Sequence, residues 1–120
     1  MSSSAAHPDG AWCFDVLTAD AIDGDTARVT ADLGFGAAFR FDLRLRNVSA
    51  PELREVGGPE AKTAFQAYLD QRPLLVTTYR TVSGGEVRSF ARWLGRLTIW
   101  PDRDVGEEMV LSGHAKVTVL

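Results

Sequence analysis

Residues 38–46 read AFRFDLRLR and carry the clearest strand signal in the sequence. Large apolar side chains alternate with charged ones at every second position, which is the period of a β-strand with one buried face. The apolar positions are Phe39, Phe41, Leu43 and Leu45, and the charged positions are Arg40, Asp42, Arg44 and Arg46. We expect Asp42 to pair with Arg44 or Arg46 across the charged face. The following stretch, Val48–Pro51, is predicted as loop because proline cannot continue a β-ladder.

Short elements separated by turn signals are predicted on both sides of this strand. Two strands, Trp12–Ala19 and Thr26–Asp32, are predicted before residues 38–46, and the tight-turn pair Asp23-Gly24 separates them. A helix is expected to begin at Pro59 and to end near Leu69, because proline suits the first helical position. Two further strands are predicted over Leu74–Thr81 and Ala91–Trp100, with a turn at Ser83–Gly85 between them. A second helix is expected over about Val105–Ser112, where Gly113 ends it, and a last strand over Ala115–Val119.

This order of elements, β-β-β-α-β-β-α-β, favours an α+β fold in which a small Greek-key barrel of the OB-fold class carries helices. The chain has 120 residues, which suits a single domain. We assign residues 12–120 to that domain and residues 1–11 to an N-terminal tail. The first ten residues, MSSSAAHPDG, carry neither a basic nor an apolar stretch of a secretory signal, so an intracellular location is expected.

Composition narrows the possible functions. The net charge of −3 argues against nucleic-acid binding by bulk electrostatics, so any such binding needs a local cluster of cations. One cysteine, Cys13, excludes an internal disulfide and a cysteine-based metal site. The apolar runs are far shorter than the roughly 20 residues of a membrane span, so no membrane partner is expected.

Four sequence fragments carry the functional signal. They are Ile22-Asp23-Gly24-Asp25-Thr26, then Arg44-Leu45 leading into Ser49-Ala50-Pro51-Glu52, then Gly58-Pro59-Glu60-Ala61, and finally Gly95-Arg96 followed by Gly113-His114-Ala115. Each fragment alone is weak, since an Asp-Gly-Asp stretch is usually a hairpin turn with a solvated carboxylate. In this order and spacing, over about residues 16–117, they resemble the thermonuclease family, which is the staphylococcal nuclease-like family.

The resemblance implies a five-stranded Greek-key OB barrel of the staphylococcal nuclease type and a Ca²⁺-dependent phosphodiesterase that cleaves single-stranded DNA or RNA. It assigns metal binding to Asp25, to the backbone carbonyl of Ala50 and to the position of Ser49. It assigns the general base to Glu52 and the phosphate clamp to Arg44 and Arg96. These roles suit the chemistry, because guanidinium groups and a divalent cation stabilise the charge that develops on the phosphoryl oxygens.

Ser49 departs from the family pattern, because the family has a second aspartate ligand there. A neutral hydroxyl should weaken the binding of a divalent cation. Asp23 and Asp42 are the nearest replacements, although Asp23 is expected to serve the turn. Trp93 is a candidate for stacking on a nucleic-acid base, with packing as the commoner role of such a residue.

Two hypotheses therefore stay open at the level of sequence. The first is a metal-dependent nuclease whose cation binding Ser49 would weaken. The second is a catalytically inactive OB module that binds a protein or a nucleic-acid strand, or that serves in a homo-oligomeric or virion-associated assembly such as a phage particle.

Overall fold

The computed structural model describes residues 12–79, the backbone of residues 88–89, and residues 92–118. The expected tail over residues 1–11 and the expected turn at Ser83–Gly85 lie outside the described residues. In chain order the elements are β1 Trp12–Ala21, β2 Thr26–Gly34, β3 Ala37–Leu45, β4 Val48–Ser49, α1 Gly58–Leu69, β5 Leu74–Thr78, β6 Arg88–Ser89, β7 Arg92–Ile99, β8 Arg103–Asp104, α2 Val105–Leu111 and β9 Lys116–Val117.

Three of these strands were not predicted from the sequence, namely β4, β6 and β8. Each has only two residues, which is too short to show an alternating pattern. The prediction of loop over Val48–Pro51 is therefore wrong at its first two residues, because Val48 and Ser49 pair with Val117 and Lys116 of β9.

Five strands close into a barrel. β1 pairs antiparallel with β2 and β5, β2 pairs with β3, and β5 pairs with β7. A parallel pairing between β3 and β7 joins the two ends of the sheet, with Leu45 opposite Gly95. Glycine is required at this junction, since a Cβ atom on Gly95 would lie 2.3 Å from the carbonyl oxygen of Thr77. A closed five-stranded barrel with two helices is consistent with an OB-like fold.

Helix α1 covers the barrel through the apolar stripe that the sequence predicts. Ala61, Phe65 and Leu69 are fully buried, and Ala64 and Tyr68 are partly buried against the same core. The side chain of Gln66 fastens the helix to the end of β1. Its Oε1 accepts a hydrogen bond from the Ala21 amide at 2.7 Å, and its Nε2 donates one to the Ala19 carbonyl at 3.1 Å.

The charged face of β3 pairs differently from expectation. Asp42 bonds to Arg28 on β2, with 2.9 Å between Oδ1 and Nε, and the prediction of an Asp42 pair with Arg44 or Arg46 is wrong. Arg28 lies directly opposite Asp42 in the β2–β3 register. Directly opposite residues are closer than residues two positions apart on one strand, so the cross-strand partner is favoured.

Neither helix in the described part of the chain has the length and apolar character needed to cross a membrane.

Candidate functional site

The turn between β1 and β2 is built around Gly24. Asp23 serves this turn as expected, because its Oδ1 accepts a hydrogen bond from the Asp25 amide at 3.1 Å. Gly24 is buried, and a Cβ atom there would lie 2.7 Å from the Cβ of Ala50 and 2.8 Å from the Cβ of Ala61. The absence of a side chain therefore lets the turn press against α1 and the segment after β4, which brings Asp25 to Ala50.

Asp25 is the buried carboxylate of this cluster, with 8% of the residue exposed. Its Oδ2 accepts a hydrogen bond from the Ala50 amide at 2.9 Å, and its Oδ1 accepts one from the Thr26 hydroxyl at 3.1 Å. Oδ2 also lies 3.6 Å from Nη2 of Arg44. Two of the sequence fragments thus meet at one carboxylate, although Ala50 lies 25 residues away from Asp25 along the chain.

The environment of Asp25 opposes its ionisation. Burial of the carboxyl, followed by its hydrogen bond with the Asp23 side chain, raises the pKa of Asp25 above the ordinary value of 3.8. The Ala50 amide and the Arg44 guanidinium act in the opposite direction, because both favour the carboxylate. A further cation beside Asp25 would act in the same direction as Arg44.

Arg44 is held in place by backbone acceptors. Its Nη1 donates to the carbonyl of Leu45 and to the carbonyl of Val48, the latter at 2.7 Å, and only 16% of the side chain is exposed. The guanidinium is therefore fixed before any ligand arrives, while Nη2 faces the Asp25 carboxylate.

Glu52 lies outside the contacts of this cluster. Its side chain is 62% exposed, and Oε2 forms an ion pair with Nε of Arg54 at 3.2 Å. Within residues 12–79 and 92–118, neither a hydrogen bond nor an ion pair joins Glu52 to Asp25 or Arg44. Exposed ion pairs contribute little free energy, so this carboxylate can turn away from Arg54 at small cost.

Ser49 lies opposite the positively charged side chain of Lys116 in the β4–β9 pair. It is exposed to solvent. Ser49 and Ala50 line a cavity of about 450 Å³ together with Glu55, His114 and Lys116. No function was predicted for His114, because its place in this cavity depends on the tight turn after α2, which sequence spacing does not reveal.

Arg96 lies in a neighbouring groove of about 420 Å³. Its Nε is buried and has no hydrogen-bond partner within the described part of the chain. Arg46 is beside it, since the Arg46 amide donates to the Gly95 carbonyl at 2.8 Å. The ring of Tyr79 lies near both guanidinium groups, with its centroid 4.5 Å from Cζ of Arg46 and 6.0 Å from Cζ of Arg96.

Sequence reasoning missed Arg46 and Tyr79 as members of this groove. Alternation placed Arg46 on the charged face of a strand, and no local pattern indicates that Tyr79, at the end of β5, reaches it. The carboxylates of Asp104 and Glu107 also line the groove, so its charge is mixed.

Trp93 lies outside the groove that contains Arg96. It packs against the core and lines an apolar cavity with Trp12, Phe14, Phe39 and Phe41. Its predicted contact with a nucleic-acid base stays a prediction.

The resemblance assigns a divalent cation to Asp25, the Ala50 carbonyl and the Ser49 hydroxyl. Across residues 12–79 and 92–118, no three His, Cys, Asp or Glu side chains gather closely enough to hold a metal ion. The predicted ligands are nevertheless all oxygen atoms, namely one carboxylate, one carbonyl and one hydroxyl. That set fits a hard cation whose coordination is completed by water and by a substrate phosphate, as Mg²⁺ sites commonly are.

No family model matches this sequence, and no curated protein matches it either. The likeness to the thermonuclease family thus depends on the four fragments.

Proposed function

We propose that this protein hydrolyses phosphodiester bonds of single-stranded DNA or RNA with the help of a divalent cation, as a weak thermonuclease-like enzyme. The observation that carries the proposal is the direct contact of Asp25 with the Ala50 amide and its proximity to Arg44. The resemblance assigns all three residues to one catalytic centre, and they come from separate parts of the chain.

The strand pairing supports a Greek-key OB barrel of the staphylococcal nuclease type. The sheet runs β3-β2-β1-β5-β7, and β7 returns to pair with β3 in parallel. Such closure leaves the β1–β2 turn and the segment after β4 beside each other, which is the position that the proposed site requires.

Two guanidinium groups would stabilise the charge on the phosphoryl oxygens. Arg44 is already oriented by two backbone carbonyls, so little conformational freedom is lost when it binds a phosphate. The buried Nε donor of Arg96 lacks a partner among the described residues, and an anionic oxygen in its groove would satisfy that donor. In this proposal both residues contact the phosphate that is cleaved.

Glu52 would accept the proton of the attacking water. The carboxylate is exposed and held only by the surface pair with Arg54 among the described residues, so it is free to reorient toward a bound phosphodiester. The water oxygen then forms a bond to phosphorus, and its proton passes to a carboxylate oxygen of Glu52. The bond from phosphorus to the leaving oxygen breaks, and that oxygen keeps the bonding electron pair and takes up a proton from solvent water.

The cation would be Ca²⁺ or another hard divalent ion, and Asp25, the Ala50 carbonyl and the Ser49 hydroxyl would hold it. When bound, such an ion polarises the phosphoryl oxygens and offsets their charge. Ser49 contributes no negative charge, and Lys116 lies opposite it, so weak binding of the cation is expected.

Cleavage of labelled single-stranded DNA and RNA by Glu52→Gln tests this assignment. Because the amide of the substituted side chain cannot take up a proton, we expect the variant to lose at least about 100-fold in rate. Asp102→Asn is the control, since it neutralises an exposed carboxylate that lines neither the cavity of Ser49 nor the groove of Arg96, and its rate should stay within about twofold of the natural rate. Equal rates for Glu52→Gln and the natural protein would remove Glu52 from the mechanism.

The place of Ser49 also favours a second candidate function. A neutral residue that faces Lys116 suits a surface that binds anions without cleaving them. In this alternative the chain is a catalytically inactive module that binds a nucleic-acid strand or a protein, or forms part of a larger assembly.

A further inference from the structure

Arg46 is a cation beside the candidate site to which the proposed mechanism gives no role. It follows Leu45 on β3, while Arg96 follows Gly95, the residue that pairs with Leu45 on β7. Leu45 and Gly95 are buried. Since successive side chains point to opposite faces of a strand, Arg46 and Arg96 both point to the other face, and both line the same groove.

The ring of Tyr79 holds these two like charges together. Cζ of Arg46 lies 4.5 Å from the ring centroid, and Cζ of Arg96 lies 6.0 Å from it. A guanidinium group is attracted to the electron-rich face of an aromatic ring. The ring therefore offsets part of the repulsion between the two arginines and orients the exposed side chain of Arg46.

The carboxylates of the groove do not neutralise these arginines. Asp104 and Glu107 line it, but neither forms an ion pair with Arg46 or Arg96 among the described residues. Oδ1 of Asp104 instead accepts hydrogen bonds from the amides of Gly106 and Glu107. The N–H donors of two neighbouring guanidinium groups are thus available to an anionic ligand.

The groove begins at the backbone that holds Arg44. The carbonyls of Leu45 and Val48 accept hydrogen bonds from Nη1 of Arg44, and both of these residues line the groove. A nucleic-acid strand whose cleaved phosphate lies at Arg44 would therefore pass along the groove toward Arg46.

We propose that Arg46 binds the phosphate next to the one that is cleaved, so that the protein selects strands with at least two successive phosphates. The forked guanidinium suits this ligand, because it can donate two parallel hydrogen bonds to phosphate oxygens. The inference rests on the proposed phosphodiesterase function, since the cleaved phosphate defines which phosphate is next to it.

Binding of a labelled single-stranded oligothymidylate, measured by fluorescence anisotropy with chelator present, tests the contact without cleavage. Arg46→Gln should weaken binding at least about fivefold at low salt. It should also lower the slope of log K against log salt concentration by about 0.7, which corresponds to one phosphate contact on a single strand. Arg46→Lys should keep the slope but bind more weakly than the natural protein, because lysine retains the charge and loses the fork.

Arg40→Gln is the matched control. Arg40 is another exposed arginine of β3, and it lines neither this groove nor the cavity of Ser49. Its removal changes the net charge by the same amount and should leave the affinity within about twofold and the slope unchanged. The proposal is wrong if Arg46→Gln binds like the natural protein, if Arg40→Gln shows the same loss, or if the natural protein does not bind the oligonucleotide.

Cleavage kinetics with millimolar Ca²⁺ separate the neighbouring phosphate from the cleaved one. Arg46→Gln should raise KM for the oligonucleotide at least about fivefold and change kcat by less than about twofold. A fall of about 100-fold in kcat would place Arg46 on the cleaved phosphate and overturn the inference. If the natural protein binds with the Arg46-dependent slope but never cleaves, the phosphodiesterase proposal fails and the phosphate contact of Arg46 stands.

Discussion

At the scale of single residues, Asp25 couples the stability of the fold to the proposed chemistry. Its burial raises the pKa above 3.8, so the folded chain holds this proton more tightly than the unfolded chain does. Protonation of Asp25 therefore contributes to the unfolding free energy. This contribution is fully present below pH 3.8 and is lost as the pH rises through the pKa that Asp25 has in the folded chain. At neutral pH the ionised carboxylate therefore destabilises the fold relative to a neutral side chain.

Asp25→Asn should thus stabilise the protein near neutral pH while it abolishes cation-dependent cleavage. The amide oxygen can still accept the hydrogen bond from Ala50, and the charge that burial opposes is gone. Denaturant unfolding at about pH 3 and about pH 7 checks this expectation. The unfolding free energy of Asp25→Asn should exceed that of the natural protein by more at about pH 7 than at about pH 3. The exposed carboxylate of Asp102 offers a control in Asp102→Asn. A gap that is constant or that narrows toward pH 7 would contradict the argument.

At the scale of elements, α2 depends on a side chain that ends β8. The Oδ1 of Asp104 accepts hydrogen bonds from the amides of Gly106 and Glu107 at 2.8 Å and 3.4 Å. Val105 and Met109 bury the helix against the core. Because α2 has only seven residues, its stability comes from this cap and from packing more than from helix propensity.

Asp104→Ala should lower the unfolding free energy by about 1 kcal/mol, since it leaves two amides at the helix start without their side-chain acceptor. Asp104→Asn keeps an acceptor in the same place and should cost much less. Asp102→Ala removes an exposed carboxylate two residues earlier and should have little effect. Denaturant unfolding of the three variants measures these differences, and an equal loss in all three would show that the cap is not the cause.

The order of the five barrel strands and the two helices could be predicted from the sequence because each has a local signal. Alternation marks β3, the Asp23-Gly24 pair marks the first turn, and Gly113, with φ of +84°, ends α2 as expected. The two-residue strands β4, β6 and β8 could not be predicted, since nothing in two residues distinguishes them from loop.

The candidate site was predictable only in part. The fragments indicate Asp25, Arg44 and Ala50, but their meeting depends on the β1–β2 turn packing on α1 through Gly24. The expected Asp42 pair failed because its partner, Arg28, belongs to another strand and becomes visible only once the register is known. The approach of Arg46 to Tyr79 likewise depends on barrel closure.

At the scale of the whole molecule, the acidic net charge of −3 makes local placement of cations decisive. Arg44 and Arg96 must act within their own site, because the protein as a whole does not attract a polyanion. The same reasoning makes Ser49 important, since an added negative charge at this exposed position should strengthen the binding of a divalent cation.

Cleavage of labelled single-stranded DNA with millimolar Ca²⁺ or with chelator, by the natural protein and by Ser49→Asp in parallel, tests the central claim most directly. We expect slow cleavage by the natural protein that chelator abolishes, and cleavage at least about tenfold faster by Ser49→Asp at the same Ca²⁺ concentration. If only Ser49→Asp cleaves, the result would contradict the enzymatic proposal and favour the binding module. If neither protein cleaves, the result would contradict the assignment of a phosphodiesterase site around Asp25.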